Sequence, residues 1–182
     1  MTIIACDLKI LAADTLTTCD DVKVYNRSKI RIIKQHAIAS TGTENDGFRF
    51  EKWFFEQNGE EFICEEAFGV IVMNKTRVLG GNADENNKLG NLIPIISRAT
   101  IGSNAACAAT DILMKVSKLN AHNATVAAAN YHTHCGEPVY SITKKQLEYI
   151  DIDFNGYWTG TYKTPLNKLS DFLITEKQWH KT

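Results

Sequence analysis

The chain begins with the run TIIACDLKILAAD, residues 2–14, in which a polar turn separates two apolar segments. TIIAC (residues 2–6) and ILAA (residues 10–13) are rich in β-branched and aliphatic residues, whereas DLK has the composition of a turn. The run therefore predicts a β-hairpin that ends at Asp14. Because Thr2 carries a hydroxyl and directly follows Met1, the same run makes Thr2 a candidate catalytic residue, although a threonine also begins many ordinary strands.

The overall composition is that of a globular protein. The 182 residues are 44% hydrophobic and 23% charged, with a net charge of −1. This length predicts a single domain, which we assign to residues 1–182. The 20 basic and 21 acidic residues are mixed along the chain, so that we expect neither a nucleic-acid partner nor binding to an anionic membrane.

Cysteine usage and the N-terminus favour a cytoplasmic protein. Five cysteines are scattered without a C-x-x-C pair, which is typical of free thiols in a reducing compartment. Asp7 and Lys9 interrupt the apolar N-terminus, which therefore lacks the core of a secretory signal. No run approaches the roughly 18 apolar residues of a membrane span. The P-loop pattern G-x-x-x-x-G-K-[ST] is also absent, and we expect no ATP site and no other cofactor in this chain.

The order of predicted elements favours an α+β fold. Further strands are predicted at residues 21–25, 29–33, 36–40, 92–96 and 99–102, with a hairpin over residues 68–81 that turns at Asn74–Lys75. Helices are predicted from Thr43, as N-cap, to a stop at Asn58–Gly59, over residues 104–119, and over residues 123–131 with Asn123 as N-cap. Strands paired in sequence, with helices grouped in blocks, favour a layered α+β domain over alternating βαβ units.

The C-terminal part of the chain is predicted to be mixed. PVYSI (residues 138–142) and LEYIDI (residues 147–152) form a predicted strand pair that turns at Lys144–Lys145. After Asp153 the pattern indicates a hairpin and a short helix near residues 165–173.

Five short motifs then occur in a fixed order along the chain. They are TIIA from Thr2, LAAD ending at Asp14, KI beginning at Lys29, TG ending at Gly42, and IGS ending at Ser103. In this order they resemble the proteasome β-subunit family, and the bacterial HslV peptidases in particular, which are N-terminal-nucleophile (Ntn) hydrolases. The resemblance extends to about residue 142, and the tail after about residue 150 carries no motif of the family. It implies a four-layer αββα sandwich.

The resemblance also implies a reaction at the N-terminus. In an Ntn hydrolase the side-chain hydroxyl of the first residue is the nucleophile, and its free α-amine takes the proton. Thr2 meets this requirement once Met1 has been removed. The other matching positions have these implied roles: Lys29 beside the threonine, Asp14 as the partner of that lysine, Gly42 as the backbone N–H donor to the oxyanion, and Ser103 as a hydrogen-bonding residue near the amine.

The implied activity is that of a threonine-type peptidase. The resemblance implies a polypeptide substrate, a homo-oligomeric ring that encloses the sites, and an ATP-dependent unfoldase as a partner. Two alternatives stay open at this point. One is a catalytically silent structural or assembly subunit of the same fold, and the other is an Ntn amidohydrolase that acts on a small amide.

The segment HTHCGEPVYSI departs from the family pattern. His132 stands where the family has an aspartate, and Cys135 stands where it has a serine. His132, His134 and Cys135 also offer an alternative as metal ligands, although a zinc site needs a further ligand. A Cys135 nucleophile paired with a histidine is another alternative. The candidate site residues have ordinary structural interpretations as well: Lys29 as a surface charge, Asp14 as a turn residue, Gly42 as a positive-φ residue, and Ser103 as a helix N-cap.

Overall fold

A computed structural model of the chain describes residues 2–19, 22–56, 60–132, 135–179 and 181. Its helices are α1 (Glu44–Glu56), α2 (Asn104–Lys115), α3 (Ala121–Ala129), α4 (Lys144–Leu147) and α5 (Glu176–Trp179), with a 3-10 helix at Leu166–Phe172. Its strands are β1 (Ile3–Cys6), β2 (Ile10–Asp14), β3 (Leu16–Cys19), β4 (Val22–Asn26), β5 (Ile30–Ile33), β6 (His36–Ser40), β7 (Phe62–Ile63), β8 (Gly69–Met73), β9 (Val78–Asn82), β10 (Lys88–Leu89), β11 (Ile93–Pro94), β12 (Ala99–Gly102), β13 (Val139–Thr143), β14 (Asn155–Trp158) and β15 (Leu173–Ile174).

Two antiparallel sheets form the centre of the molecule. The smaller sheet has the strand order β12-β1-β2-β13, and the larger one has the order β11-β9-β8-β6-β5-β14-β15. The predicted hairpin at the N-terminus is present, with Ala5 opposite Ala12. Because β1 pairs with β12 on its other side, β1 is an interior strand of the smaller sheet.

Alternate residues of the N-terminal hairpin pack on opposite faces of the smaller sheet. Ile4 and Leu11 belong to a core cluster shared with β5 and β6 of the larger sheet. Ile3 and Ala12 belong to a second cluster, which includes residues of α2 and α3. A third cluster joins Phe50 of α1 to the outer face of the larger sheet. The order of layers is therefore α2/α3, small sheet, large sheet, α1, which confirms the predicted α+β fold of αββα type.

Local side-chain bonds explain where two of the helices begin. The hydroxyl of Thr43 accepts the backbone N–H of Asp46 at 3.0 Å, as expected of the predicted N-cap. The N-cap of α3 is Asn120, whose side chain accepts the N–H of Asn123. The prediction that Asn123 caps this helix is wrong, because the helix already begins at Ala121. The predicted stop of α1 at Asn58–Gly59 lies outside the described residues.

The predicted strand pair about Lys144–Lys145 is wrong as well. Thr143 and Gln146 form a reciprocal capping box that begins α4 at Lys144, so the chain turns into a helix there. β13 pairs with β2, and the next strand, β14, pairs with β5 in the other sheet. The predicted short helix of the tail is present as the 3-10 helix, whereas the predicted hairpin is not formed: β14 and β15 pair antiparallel, but the 3-10 helix lies between them in the chain. The assignment of residues 1–182 to one domain stays a prediction.

The helices of the described ranges are too short or too polar to cross a lipid bilayer.

Candidate active site

The smaller sheet holds the backbone of Thr2 beside that of Ser103. The carbonyl oxygen of Thr2 accepts the N–H of Ser103 at 2.9 Å, and Ile3 lies opposite Gly102 in the β1–β12 register. Gly102 has a φ of 126°, and a Cβ atom at this position would collide with the carbonyl oxygen of Thr2. A glycine at position 102 is therefore required for Thr2 to lie this close to β12.

Asp14 lies at the end of β2 and is fully buried. Its Oδ1 accepts the backbone N–H of Ile3 at 2.8 Å and the ammonium of Lys29 at 2.8 Å. Its Oδ2 accepts the N–H of Gly136 at 3.4 Å. A buried carboxylate of this kind needs partners of opposite charge or several hydrogen-bond donors, and Asp14 has both. The bond to Ile3 also fixes the residue that follows Thr2.

Lys29 directly precedes β5, and its side chain is only 12% exposed. Besides Asp14, its ammonium donates to the carbonyl oxygen of Leu16 at 2.8 Å. Burial lowers the pKa of Lys29, and the neighbouring carboxylate of Asp14 opposes that change. Lys29 is thus an oriented cation of the interior rather than a solvated surface charge.

Gly42 lies between β6 and α1 with a φ of 95°, and a Cβ there would approach Ala67 O to 3.0 Å. No residue of the described part of the chain accepts a hydrogen bond from the Gly42 N–H. Gly42 lines a cavity of about 390 Å³ together with Thr2 and Lys29. Gly42 thus belongs to the wall of a cavity that the candidate nucleophile Thr2 also lines.

The structure therefore brings together all five residues that the resemblance singled out. Thr2, Lys29 and Gly42 line the cavity, Asp14 lies behind Lys29, and Ser103 adjoins the backbone of Thr2. Ser103 also occupies the N-cap position of α2, without a capping bond from its side chain. Their catalytic roles stay predictions. Met1, on whose removal those roles depend, lies outside the described residues.

The divergent segment near Cys135 also contacts the end of β2. The N–H of Gly136 donates to Asp14, and the N–H of Thr15 donates to Gly136 O at 3.3 Å. Burial raises the pKa of Cys135 to about 11, so its thiol is protonated near neutral pH. This argues against Cys135 as a nucleophile and leaves it a structural role beside Asp14.

The metal-site alternative gains no support from the described residues. These residues contain no group of three or more His, Cys, Asp or Glu side chains that could hold a metal ion. His132 is half-buried after α3, and His134 lies outside the described ranges.

Sequence reasoning missed several charged and aromatic residues of the cavity. Arg31, Glu51, Phe48 and Tyr157 line it together with the residues named above. One signal was present for two of them: Arg31 interrupts the apolar strand KIRII, and Glu51 lies among the aromatic residues of α1. A charged residue in an apolar run needs a partner when it is buried. Nothing in the sequence indicates which partner that is.

Comparison with solved structures places this fold in the proteasome-like, Ntn type. One similar structure is BPH from Thiobacillus denitrificans, with 18% identity, a TM-score of 0.52, and coverage of 78% of this chain and 95% of that chain. BPH in complex with epoxomicin gives 19% identity and a TM-score of 0.53, with coverage of 78% of this chain and 96% of that chain. Anbu from Hyphomicrobium sp. strain MC1 covers 94% of this chain and 92% of its own, with 12% identity and a TM-score of 0.53. At these identities the likeness shows the fold alone.

The comparisons correct the family suggested by the motifs. The similar structures described above are BPH and Anbu, so the assignment to the proteasome β-subunit family, and to the HslV peptidases in particular, is wrong. Motifs of two to four residues reflect local geometry, such as the close approach of Gly102 to Thr2, and thus indicate a fold rather than one family within it. No family model and no curated protein sequence matches the chain.

Proposed function

We propose that this protein is a threonine-type peptidase whose nucleophile is the hydroxyl of Thr2, exposed by removal of Met1. The observation that carries the proposal is the shared cavity of Thr2, Lys29 and Gly42, with Lys29 held by the buried carboxylate of Asp14. A surface threonine at a strand start would need neither this buried ion pair nor a cavity beside it. The similarity of this fold to those of BPH, which was also solved in complex with epoxomicin, and of Anbu supports the proposal.

The α-amine of Thr2 is the base in this proposal. A free α-amine has a pKa of about 7.7–8.0, and a neighbouring cation lowers that value because it disfavours a second positive charge. The amine takes the hydroxyl proton as the oxygen attacks the peptide carbonyl. The ion pair with Asp14 fixes the ammonium of Lys29, which lines the same cavity as Thr2. With Met1 in place, position 2 has an amide nitrogen, which is not a base.

Two further steps complete the reaction. The carbonyl oxygen becomes an oxyanion, and we assign its stabilisation to the N–H of Gly42, which has no acceptor in the described part of the chain. Preorganised donors of this kind contribute about 2.7–4 kcal/mol each. The C–N bond then breaks, and the protonated amine gives its proton to the leaving nitrogen. Water, deprotonated by the same amine, hydrolyses the ester on Thr2 and restores the hydroxyl.

Self-assembly into a ring of identical chains is also part of the proposal, as is delivery of polypeptides by an ATP-dependent unfoldase. Ile112 of α2 and Val116, the C-cap residue of the same helix, are 57% and 70% exposed. Apolar side chains exposed side by side on a helix fit a contact with another copy. Sedimentation velocity of the purified protein tests the assembly, and a monomer at micromolar concentration contradicts it.

Peptide hydrolysis combined with intact mass tests the central proposal. We expect the purified protein to lack Met1 and to cleave fluorogenic peptides. Thr2→Ser is expected to keep activity within tenfold, because it keeps both the hydroxyl and the amine, whereas Thr2→Ala abolishes it. Thr76→Ala, at an exposed threonine in the β8–β9 turn, is the matched control for contaminating peptidases.

Other outcomes identify the alternatives. Retention of Met1 in the mature protein contradicts a threonine nucleophile. Loss of Met1 without turnover of a broad peptide panel favours a silent structural subunit. Turnover of small amides alone, by an unassembled monomer, favours an Ntn amidohydrolase.

A further inference from the structure

The cavity beside Thr2 continues to a second set of charged residues. Lys29 and Arg31 both line it and are two residues apart on an extended chain, so their backbones are roughly 6–7 Å apart. That separation is comparable to the length of one amino-acid side chain. A substrate whose carbonyl lies at Thr2 can therefore place one side chain against Arg31 and its neighbours.

Arg31 is held by ion pairs, hydrogen bonds and ring contacts, although its buried Nε makes no hydrogen bond to a described residue. Its Nε lies 2.9 Å from Glu51 Oε1, and its Nη2 donates to Glu176 Oε1 at 2.9 Å and to Asn155 Oδ1 at 3.1 Å. Its guanidinium also lies over the rings of Phe48, at 4.5 Å, and Tyr157, at 4.9 Å. These contacts hold Arg31 in place and offset its charge, so that it does not serve as a free receptor for an anion.

The carboxylate of Glu51, in contrast to the guanidinium of Arg31, is only partly paired. Its side chain is only 10% exposed, it lines the cavity, and its ion pair with Arg31 uses Oε1. Among the described residues no hydrogen bond reaches Oε2. Oε2 is not one of the buried side-chain atoms that lack a partner in the described part of the chain, so it is accessible from the cavity and can accept a hydrogen bond from a ligand there. Burial accordingly raises the pKa of Glu51 to about 7, with Arg31 opposing and Glu176 adding to the rise.

The remaining charges around this end of the cavity are nearly balanced. Glu44 accepts the hydroxyl of Tyr157 at 3.0 Å and pairs with Arg27 at 3.3 Å. Three carboxylates, those of Glu44, Glu51 and Glu176, therefore face two guanidinium groups, those of Arg27 and Arg31. A bound cation would bring the set to neutrality, whereas a bound anion would add to the excess of negative charge.

We propose that this cavity selects a basic side chain, lysine or arginine, on the acyl side of the cleaved bond, with Glu51 as its counterion. This specificity rests on the proposed peptidase function and names its substrate class. A leucine at the same place would desolvate Glu51 without donating a hydrogen bond to it. A glutamate would be repelled by the carboxylates of Glu44 and Glu51, which both line the cavity. A volume of about 390 Å³ accommodates an extended lysine or arginine side chain.

The test compares peptides that differ only in the residue on the acyl side of the cleaved bond: arginine, lysine, glutamine, leucine or glutamate. We expect kcat/KM for arginine and lysine to exceed that for leucine at least tenfold at pH 8. In Glu51→Gln this ratio is expected to fall tenfold or more, the usual effect of losing a hydrogen bond to a charged group. Glu51→Asp, which keeps the charge, should retain most of the ratio.

Glu56→Gln, at an exposed glutamate of the same helix, is the matched control and should leave the ratio unchanged. The preference for arginine over leucine should also increase between pH 6 and 8, as Glu51 ionises beside the charges of Arg31, Glu176, Glu44, Arg27 and Lys29. Equal turnover of arginine and leucine peptides, or an unchanged ratio in Glu51→Gln, overturns the proposed specificity while leaving the peptidase function intact.

Binding of benzamidine separates this inference from the proposed function. In a Thr2→Ala background, titration calorimetry should show benzamidine binding that weakens at least tenfold in Glu51→Gln and is unchanged in Glu56→Gln. If no peptide is hydrolysed but this dependence on Glu51 is seen, the peptidase proposal fails and the cation site stands. If benzamidine binds equally well without the Glu51 carboxylate, the cation site is wrong whatever the peptidase assay shows.

Discussion

Replacement of Asp14 by asparagine is expected to destabilise the protein far more than an ordinary loss of one charge. The carboxylate is fully buried and accepts three hydrogen bonds, from Ile3 N, Lys29 Nζ and Gly136 N. Asp14→Asn keeps the shape but leaves the ammonium of Lys29 without its counterion. It also directs an amide N–H₂ group toward a partner that is itself a donor, so at least one of the three bonds is lost.

The expected magnitude follows from burial. Removal of one partner of a buried ion pair costs about 3–5 kcal/mol, because the other charge remains buried and uncompensated. In a chain of this size each kcal/mol corresponds to roughly 2–4 °C, so we expect the midpoint of thermal unfolding to fall by about 6–20 °C. Urea unfolding at pH 7.5 measures the same loss as a free energy.

Asp111→Asn is the matched control for this variant. Asp111 pairs with Arg98 at the same 2.8 Å separation, but the two side chains are 44% and 31% exposed. A solvent-exposed pair contributes about 0–1 kcal/mol, so Asp111→Asn should change the stability little. The double variant Asp14→Asn/Lys29→Met, which removes both buried charges, should be more stable than Asp14→Asn alone. Asp111→Asn should unfold with a free energy within about 1 kcal/mol of the wild-type value. If Asp14→Asn does so too, the buried ion pair does not stabilise the protein and the reasoning about this site is wrong.

Three more variants test other parts of the structure. Gly102→Ala should lower the unfolding free energy by at least about 2 kcal/mol, because its Cβ would collide with Thr2 O at a φ of 126°; a wild-type urea midpoint contradicts the β1–β12 geometry. Gly42→Ala should cost about 1–2 kcal/mol at its φ of 95° and lower kcat more than it raises KM, and an unchanged kcat argues against Gly42 as oxyanion donor. Burial raises the pKa of Glu51 to about 7 from 4.5, so that the folded protein loses stability as the pH rises through this interval. Glu51→Gln should therefore gain about 2–3 kcal/mol relative to the wild type between pH 5 and 8, measured by urea unfolding, and a difference independent of pH contradicts a shifted carboxyl.

The parts of the fold that the sequence predicted are those fixed by neighbouring residues. The N-terminal hairpin follows from its alternating apolar segments and a polar turn, and the start of α1 follows from the side chain of Thr43. The start of α4 also has a local signal, the capping box between Thr143 and Gln146. The prediction followed the apolar pattern of LEYIDI instead and therefore placed a strand there.

Long-range pairings could not be predicted from spacing. β14 joins β5 from a part of the chain that carries no recognisable motif, and Arg31 meets Glu176 across 145 positions. The pairing of Asp14 with Lys29 was predicted from the resemblance alone, because the spacing of two residues on different strands does not indicate whether their side chains are in contact. The motifs indicated the right fold and the wrong family, because they describe the backbone around Thr2 and little else.

The most direct test of the account is a peptide map of the protein after treatment with epoxomicin, the compound with which BPH was solved. We predict that the N-terminal peptide begins at Thr2, without Met1, and carries one equivalent of the compound. The same peptide from Thr2→Ala should be unmodified. An N-terminal peptide that retains Met1, or an adduct that forms equally well in Thr2→Ala, would contradict Thr2 as the nucleophile.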